Sequence, residues 1–382
     1  MMKPFHYGTP VPIYFGENCV KDNAAVFQSL GKRAFIVTSK FAEGHENLGL
    51  LEVKEVLEDA KIEYEIFDEV MENPTVELVA QATDLVREFK ADFLITVGGG
   101  SAIDATKAVS CLLPHVGEDP YEVFFGNWVS YGSTVNECSI PVISIPTTAG
   151  TSADITGNAV LTRSDTDTKL TTAQYLVSYA SFIDSRYLKD SPNFLLDTGA
   201  MDALAHGMET YVNVKSNYMN RSIAEIGFKL FSEFKDALLS KDMKDEDFEK
   251  MHLAATFQGM AFMQAGTCLP HGMSYPLSHH KGVNHGLGCA IFLGEYIRSF
   301  KDKSIVQPIV EMCGFQSIDE FAAYVKEITN RNVNIEVTEE ELGKWADDFA
   351  KLDFRLARHP EPITRDEIYK IYHDSLEAYI TK

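Results

Sequence analysis

Short apolar runs alternate with amphipathic segments through the first half of the chain. RAFIVT (33–38), IEYEIF (62–67), DFLITV (92–97) and IPVISIP (140–146) are rich in β-branched and aromatic residues, have strand length, and read as buried strands. Between them, 46–60, 75–90 and 101–112 carry apolar residues at helical spacing. VPIYF (11–15) adds an early strand and GNAVLT (157–162) a later one. Strands alternating with helices predict a parallel sheet with right-handed crossovers. After about residue 190 helical periods dominate 194–213, 217–239, 245–265, 285–300, 317–330, 338–350 and 364–378, and strand-like runs nearly vanish. The expected organisation is an α/β domain over 1–190 and an all-helical domain over 191–382, packed around a cleft.

A length of 382 residues agrees with two domains, because it exceeds what one core usually supports. The hydrophobic content of 45% is that of a soluble globular protein. A formal net charge of -22 repels phosphate backbones and anionic lipids, so neither nucleic acid nor a membrane is expected as a partner. The start MMKPFHYGTP lacks the pattern of a signal peptide, and no apolar stretch is long enough to span a bilayer. The six cysteines are scattered without a C-x-x-C pair, as suits reduced thiols in the cytoplasm.

Three motifs carry candidate chemistry. Strand DFLITV runs into GGGSAIDATKAVS, where Gly98, Gly99 and Gly100 allow close backbone approach and Ser101 is placed at a helix N-cap. That reads either as a pyrophosphate cradle at a helix N-terminus, without the G-x-G-x-x-G fingerprint, or as a tight strand-to-helix turn with no ligand. The loop PTTAGTSADIT (146–156) follows the next strand and reads either as polar contacts to a cofactor or as a Thr-rich surface turn. In GAMDALAHGMET (199–210), Asp202 and His206 stand four residues apart on one helix face. HGMSYPLSHHKGVNHG (271–286) then supplies four histidines. His271 is placed at the end of helix 245–265 and His285 at the start of the next, each followed by a glycine that leaves space beside it. One carboxylate and three imidazoles make a site for Fe(II) or Zn(II). His279 and His280 fall on a loop between the anchors and read as surface residues. Cys268 and Cys289 lie nearby, but the Asp-His-His-His set is complete without them.

These motifs resemble the iron-dependent (group III) alcohol dehydrogenases over essentially the whole length. The match runs through Asn-Pro-Thr at 73–75, GGGSAIDATKA at 98–108, PTTAGT at 146–151 and Lys169. It continues through DALAHGMETY at 202–211, HGMSYPL at 271–277, His285 and HPEPITRDEI at 359–368. The resemblance implies a fold like that of dehydroquinate synthase, with an N-terminal dinucleotide-binding domain and a helical C-terminal one. It makes Asp202, His206, His271 and His285 the ligands of one divalent Fe or Zn, acting as a Lewis acid. It assigns the pyrophosphate to Gly99, Gly100 and Ser101, and the rest of the NAD(H) or NADP(H) site to Asn73, Thr147, Thr148 and Lys169. The implied activity is hydride exchange with a small alcohol or aldehyde, in a homodimer or higher homo-oligomer.

Departures from the family pattern refine the expectation. Tyr275 stands where a second histidine is usual, which retains a hydroxyl donor but loses a base near neutral pH. Ser39-Lys40 replaces the Asp-Lys that favours NAD, so a 2′-phosphate meets no repulsion. GTSAD (150–154) replaces GTGSE. Arg355 and Arg358 are conspicuous in so acidic a chain: they read either as surface ion pairs or as guanidinium groups at the substrate end, which would suit an anionic aldehyde such as sulfoacetaldehyde. Rivals are a reductase of neutral short-chain aldehydes or lactaldehyde, an NAD-dependent lyase of the dehydroquinate synthase type, and a non-catalytic nucleotide-binding protein.

Overall fold

The strands of the first half send alternate side chains to opposite sides, and both sides are covered. In β2 (Arg33–Thr38), Ala34 and Ile36 join one apolar cluster while Phe35 and Val37 join another. β4 (Phe93–Gly98) divides likewise, with Leu94 on the second side and Phe93, Ile95 and Val97 on the first. Burial on both faces is why these strands read as continuous apolar runs. The computed structural model describes residues 5–40, 46–126 and 135–381.

Gly8–Thr148 with Ser152–Ser191 forms one compact unit; Pro192–Lys382 with Ala149–Thr151 and Met1–Tyr7 forms the other. The first holds a parallel sheet that also includes β1 (Ile13–Phe15), β3 (Glu63–Phe67), β5 (Val142–Pro146) and β8 (Ala180–Ile183). β6 (Val160–Arg163) and β7 (Thr168–Thr171) form a separate antiparallel pair. The sheet order is β1-β8-β5-β4-β2-β3. Setting β1 aside, the others in chain order run 2-1-3-4-5, a doubly wound sheet whose switch point lies between β2 and β4. Ligands of such sheets bind beyond the carboxyl ends of the strands at that point. Helices α1 (Leu48–Asp59), α2 (Val76–Phe89) and α3 (Gly100–Leu112) follow β2, β3 and β4.

The second unit is built from α4 (Asn193–Val212), α5 (Tyr218–Ser240), α6 (Asp245–Ala265), α7 (Pro270–Met273), α8 (Tyr275–His280) and α9 (His285–Ser299). It continues through a short helix at Gln307–Met312 and through α10 (Ile318–Asn330), α11 (Glu339–Phe349), α12 (Asp353–Leu356) and α13 (Arg365–Leu376). α4 is buried along nearly its whole length, which explains its lack of a polar face. Gly199 on α4 is needed there: a Cβ would lie 2.1 Å from the Ala149 carbonyl oxygen.

Several expectations are corrected. β3 is an edge strand exposing Glu63, Glu65 and Ile66, with Phe67 as its buried residue, so 62–67 is not a buried strand. Carboxylates there keep the sheet edge from pairing with other chains. β7 and β8 escaped detection because TKLT is polar and ASFI is only four residues long. His279 and His280 lie in α8, not on a loop. His271 does not end the helix over 245–265; a break at Gly266, with φ +74°, separates that helix from α7.

Candidate metal centre

Three elements bring the chemistry together in the helical unit. Asp202 comes from the middle of α4, His271 from α7 and His285 from the first position of α9. Pro270 opens α7, where its missing N–H costs nothing, and the Asn284 side chain caps α9 by accepting from the Gly286 N–H at 3.3 Å. One ligand atom from each of Asp202, His271, His285 and Cys289 lies within 4.8 Å of all the others. His206 is outside that group. Its ring stacks on Phe262 at 4.3 Å and stands 4.5 Å from the His271 ring, centroid to centroid.

Whether these residues fit a metal ion is decided by their unused atoms. Asp202 Oδ1, His206 Nδ1 and His271 Nε2 are buried and have no hydrogen-bond partner. Asp202 Oδ1 and His271 Nε2 are 3.6 Å apart, too far for a hydrogen bond. Two donors about 2.0–2.1 Å from a tetrahedral ion stand roughly 3.4 Å apart. The pair therefore has the spacing of two ligands of one cation.

Electrostatics agree. Burial opposes it, yet the imidazoles of His206, His285 and His271 hold the Asp202 carboxyl well below its ordinary value. Burial likewise opposes protonation of His271, but Cys289, Glu209 and Asp202 raise its imidazole well above the usual range. The centre is thus built to hold positive charge. Burial pushes His206 down to about 4 against the pull of Asp202, so it is neutral and able to ligate at neutral pH.

Glu209, which was not singled out in the sequence, orients the cluster. Fully buried in α4, it accepts the backbone N–H of Cys268 at 2.6 Å and of His271 at 3.2 Å. It also bonds His271 Nδ1, which fixes the proton there and turns the Nε2 lone pair inward. Asp202, His206 and Glu209 form an i, i+4, i+7 stripe, a signal that could have found it. Glu209→Gln is expected to weaken metal binding by about 10- to 100-fold with the helical content unchanged. Titration against a chromophoric chelator reads the first effect and circular dichroism the second.

The glycines after the ligands serve packing, not open space. A Cβ on Gly272 would meet Phe349 at 2.6 Å and Arg355 at 3.0 Å, and one on Gly286 would meet Thr198 O at 2.3 Å and Asp202 at 2.8 Å. His279 and His280 are exposed and outside the cluster. Tyr275, 41% exposed, opens α8, and its Oη accepts from Arg355 Nη2 at 2.9 Å. Arg355 is buried rather than a surface ion pair; its Nη1 donates to Thr267 Oγ1 at 3.2 Å and its Nε has no partner. Arg358 is half-buried and donates to the Thr267 carbonyl at 3.0 Å.

In the α/β unit the proposed cofactor residues gather at the switch point. Ser39 follows β2, Gly99–Ser101 follow β4, which Gly98 ends, and Thr147 and Thr148 follow β5. The Thr38 hydroxyl ties the ends of β2 and β4 by donating to Val97 O at 2.6 Å. Gly99, not Ser101, is the N-cap of α3. Ser101 Oγ instead accepts the Asn73 N–H at 3.3 Å, while the Asn73 side chain accepts from Lys169 Nζ at 2.7 Å. Asn73, at φ 59°, thus links the glycine turn to β7. The loop after β5 is no surface turn: Thr147, Ser152, Asp154 and Thr156 are buried. Fully buried Lys107, from the glycine motif, fastens Ala153 and Thr156 by donating to their carbonyls at 2.8 and 3.3 Å, and also holds Asn158.

Residues 10–185 match the iron-containing alcohol dehydrogenase family, and residues 197–376 match the C-terminal domain of the Fe-containing alcohol dehydrogenase family. The bifunctional aldehyde-alcohol dehydrogenase of Escherichia coli K12 is 31% identical over 276 residues, 70% of this chain and 30% of that protein's length. An NADPH-dependent butanol dehydrogenase of Clostridium saccharobutylicum is 27% identical over 95% of this chain and 96% of its own. An iron-containing alcohol dehydrogenase of Thermotoga maritima, known by crystallography, is 28% identical, with a TM-score of 0.85 over 98% of this chain and 100% of that one. No helix among the described residues is long and apolar enough to cross a membrane.

Proposed function

Because the chain belongs to the iron-containing alcohol dehydrogenase family, we propose that it exchanges hydride between NAD(P)H and a small aldehyde. The aldehyde, the reduced dinucleotide and a proton become the alcohol and the oxidised dinucleotide. The observation that carries this reading is the buried Asp202–His271 pair, whose Oδ1 and Nε2 face each other without a protein partner. Asp202, His271 and His285 would hold one Fe(II) or Zn(II), with His206 beside them as a further candidate. When bound, such an ion supplies Lewis-acid polarisation of an oxygen.

The chain's own residues do the rest. Glu209 keeps His271 in the tautomer that ligates. Gly99, Gly100 and Ser101 receive the pyrophosphate at the start of α3, and Asn73, Thr147, Thr148 and Lys169 line the remainder. Ser39 presents no carboxylate to a 2′-phosphate, so NADPH is accepted along with NADH. Tyr275 Oη already accepts from Arg355, which leaves its own O–H to donate to substrate. Arg355 and Arg358 select an aldehyde that carries a sulfonate, phosphonate or carboxylate. The same reading places the protein in the cytoplasm, in keeping with six free cysteines, as a homodimer joined at the open edge of β1.

The test is oxidation of NADH and NADPH by Fe(II)- or Zn(II)-loaded protein with propanal, lactaldehyde, sulfoacetaldehyde and succinic semialdehyde. Net turnover supports a reductase; a lyase that regenerates its cofactor gives none. Preference for the neutral aldehydes keeps the reductase and removes the anionic substrate. Asn73→Ala, which uncouples Ser101 from Lys169, is expected to raise the KM for dinucleotide about tenfold, the worth of one charge-assisted hydrogen bond. Steady-state kinetics with the aldehyde saturating checks it.

A further inference from the structure

Resting on the reading of the glycine turn as a dinucleotide site, we propose that Lys107 and Asp104 are positioning residues for the cofactor rather than contacts to it. Both lie on α3, the helix that starts at that turn, and helical side chains lean toward the N-terminus, so both reach back toward it. Lys107 is fully buried and has three N–H donors. The carbonyls of Ala153 at 2.8 Å, Thr156 at 3.3 Å and Asn158 take them. Asp104 Oδ1 stands 3.3 Å from the ammonium and neutralises it, while Oδ2 accepts the Val160 N–H at 2.9 Å. Two side chains one turn apart thus fix four backbone groups of 153–160 to one helix.

The segment held in this way has proposed cofactor contacts at both ends. Thr147 and Thr148 precede it, directly after β5. Beyond Val160 it runs along β6, where Thr162 stands opposite Lys169. Thr162 donates its N–H to Pro74 O at 2.9 Å and its hydroxyl to Asn73 O at 3.1 Å. Residues 152–159 belong to no helix or strand, so side chains must supply their order. A loop that is ordered only when a ligand binds costs affinity, and one ordered beforehand does not. The buried ammonium does that ordering during folding. A second tie, Asp154 Oδ2 accepting from Ser181 Oγ of β8 at 2.5 Å, keeps the segment in place when Lys107 is replaced. Loss of the lysine therefore loosens the segment without detaching it.

The double variant Lys107→Met/Asp104→Asn removes the ammonium without stranding a carboxylate, and it keeps an oxygen for the Val160 N–H. In metal-loaded protein its Kd for NADH, read by fluorescence titration, is expected to rise about tenfold, with kcat at saturating NADH within about threefold of the parent. Arg331→Met/Asp197→Asn removes a buried ion pair of the helical unit and should leave that Kd unchanged. An unchanged Kd in the folded Lys107 variant, or an equal rise in the Arg331 variant, overturns the proposal. If the Lys107 variant does not fold, hydrogen exchange in the wild type decides. NADH should slow exchange of the backbone amides over 153–160 more than over α10, and equal slowing in the two segments overturns the proposal. A wild type that binds neither NADH nor NADPH removes the dinucleotide reading itself, and this inference with it.

Discussion

His271→Ala is expected to abolish stoichiometric metal retention and to lower aldehyde turnover about a thousand-fold, the effect of losing several kcal/mol of electrophilic stabilisation. The substitution removes Nε2, which has no hydrogen-bond partner among the described residues. It also takes from Glu209, a fully buried carboxylate, its His271 ring partner and leaves it only backbone N–H donors. Breaking a buried pair by removing one partner costs about 3–5 kcal/mol, so the variant also loses stability. The double variant His271→Ala/Glu209→Gln separates the two effects: stability returns in part, but turnover and metal do not. Elemental analysis, kcat and urea unfolding read the three quantities. Full metal occupancy with turnover within tenfold of the parent would show that the ion sits elsewhere.

Arg355→Ala is expected to raise the KM for an anionic aldehyde about a hundred-fold, as truncating one partner of a buried charge pair does. For a neutral aldehyde the change should stay within about threefold. Arg355 is 8% exposed, and its guanidinium donates to two hydroxyls, Tyr275 Oη and Thr267 Oγ1. Among the described residues no carboxylate forms an ion pair with Arg355 or Arg358. Burying a cation without an anion is costly, and an anionic substrate offsets that cost. Arg355→Lys should restore affinity only in part, because an ammonium lacks the planar fork. Equal losses on the two aldehydes would make Arg355 a brace for Tyr275, and the anionic substrate would be withdrawn.

The sequence was most legible where one period governed a whole element. The amphipathic helices over 217–239 and 338–350, and the two-sided strands at 33–38 and 92–97, stand within a residue or two of their expected limits. Asp202, His271 and His285, grouped in the sequence by residue type and spacing, do lie together in space. The rest depended on distance in space rather than along the chain. Cys289 reaches the centre only through the turn of α9, and Glu209 acts from the far side of the His271 ring. Ser101 looked like a cap because Ser often is one, but Gly99 takes the extended conformation and the hydroxyl is free to meet Asn73. His279 and His280 looked like loop residues because Pro276 suggested a break, whereas proline is accommodated in the first turn of α8.

The order of the parallel sheet has a consequence for how the protein matures. The proposed dinucleotide contacts come from segments near residues 39, 73, 99, 147 and 169, each positioned by a different strand or strand end. None of these segments forms the cradle with its sequence neighbours alone. Parallel pairing between distant strands is slow, because chain entropy is lost before the contacts repay it. A dinucleotide therefore recognises the finished sheet and no earlier species, and adds RT ln(1 + [L]/Kd) to that state alone. In a cell that keeps nicotinamide cofactors well above Kd, the cofactor pool is itself part of what holds newly made chains in the native population.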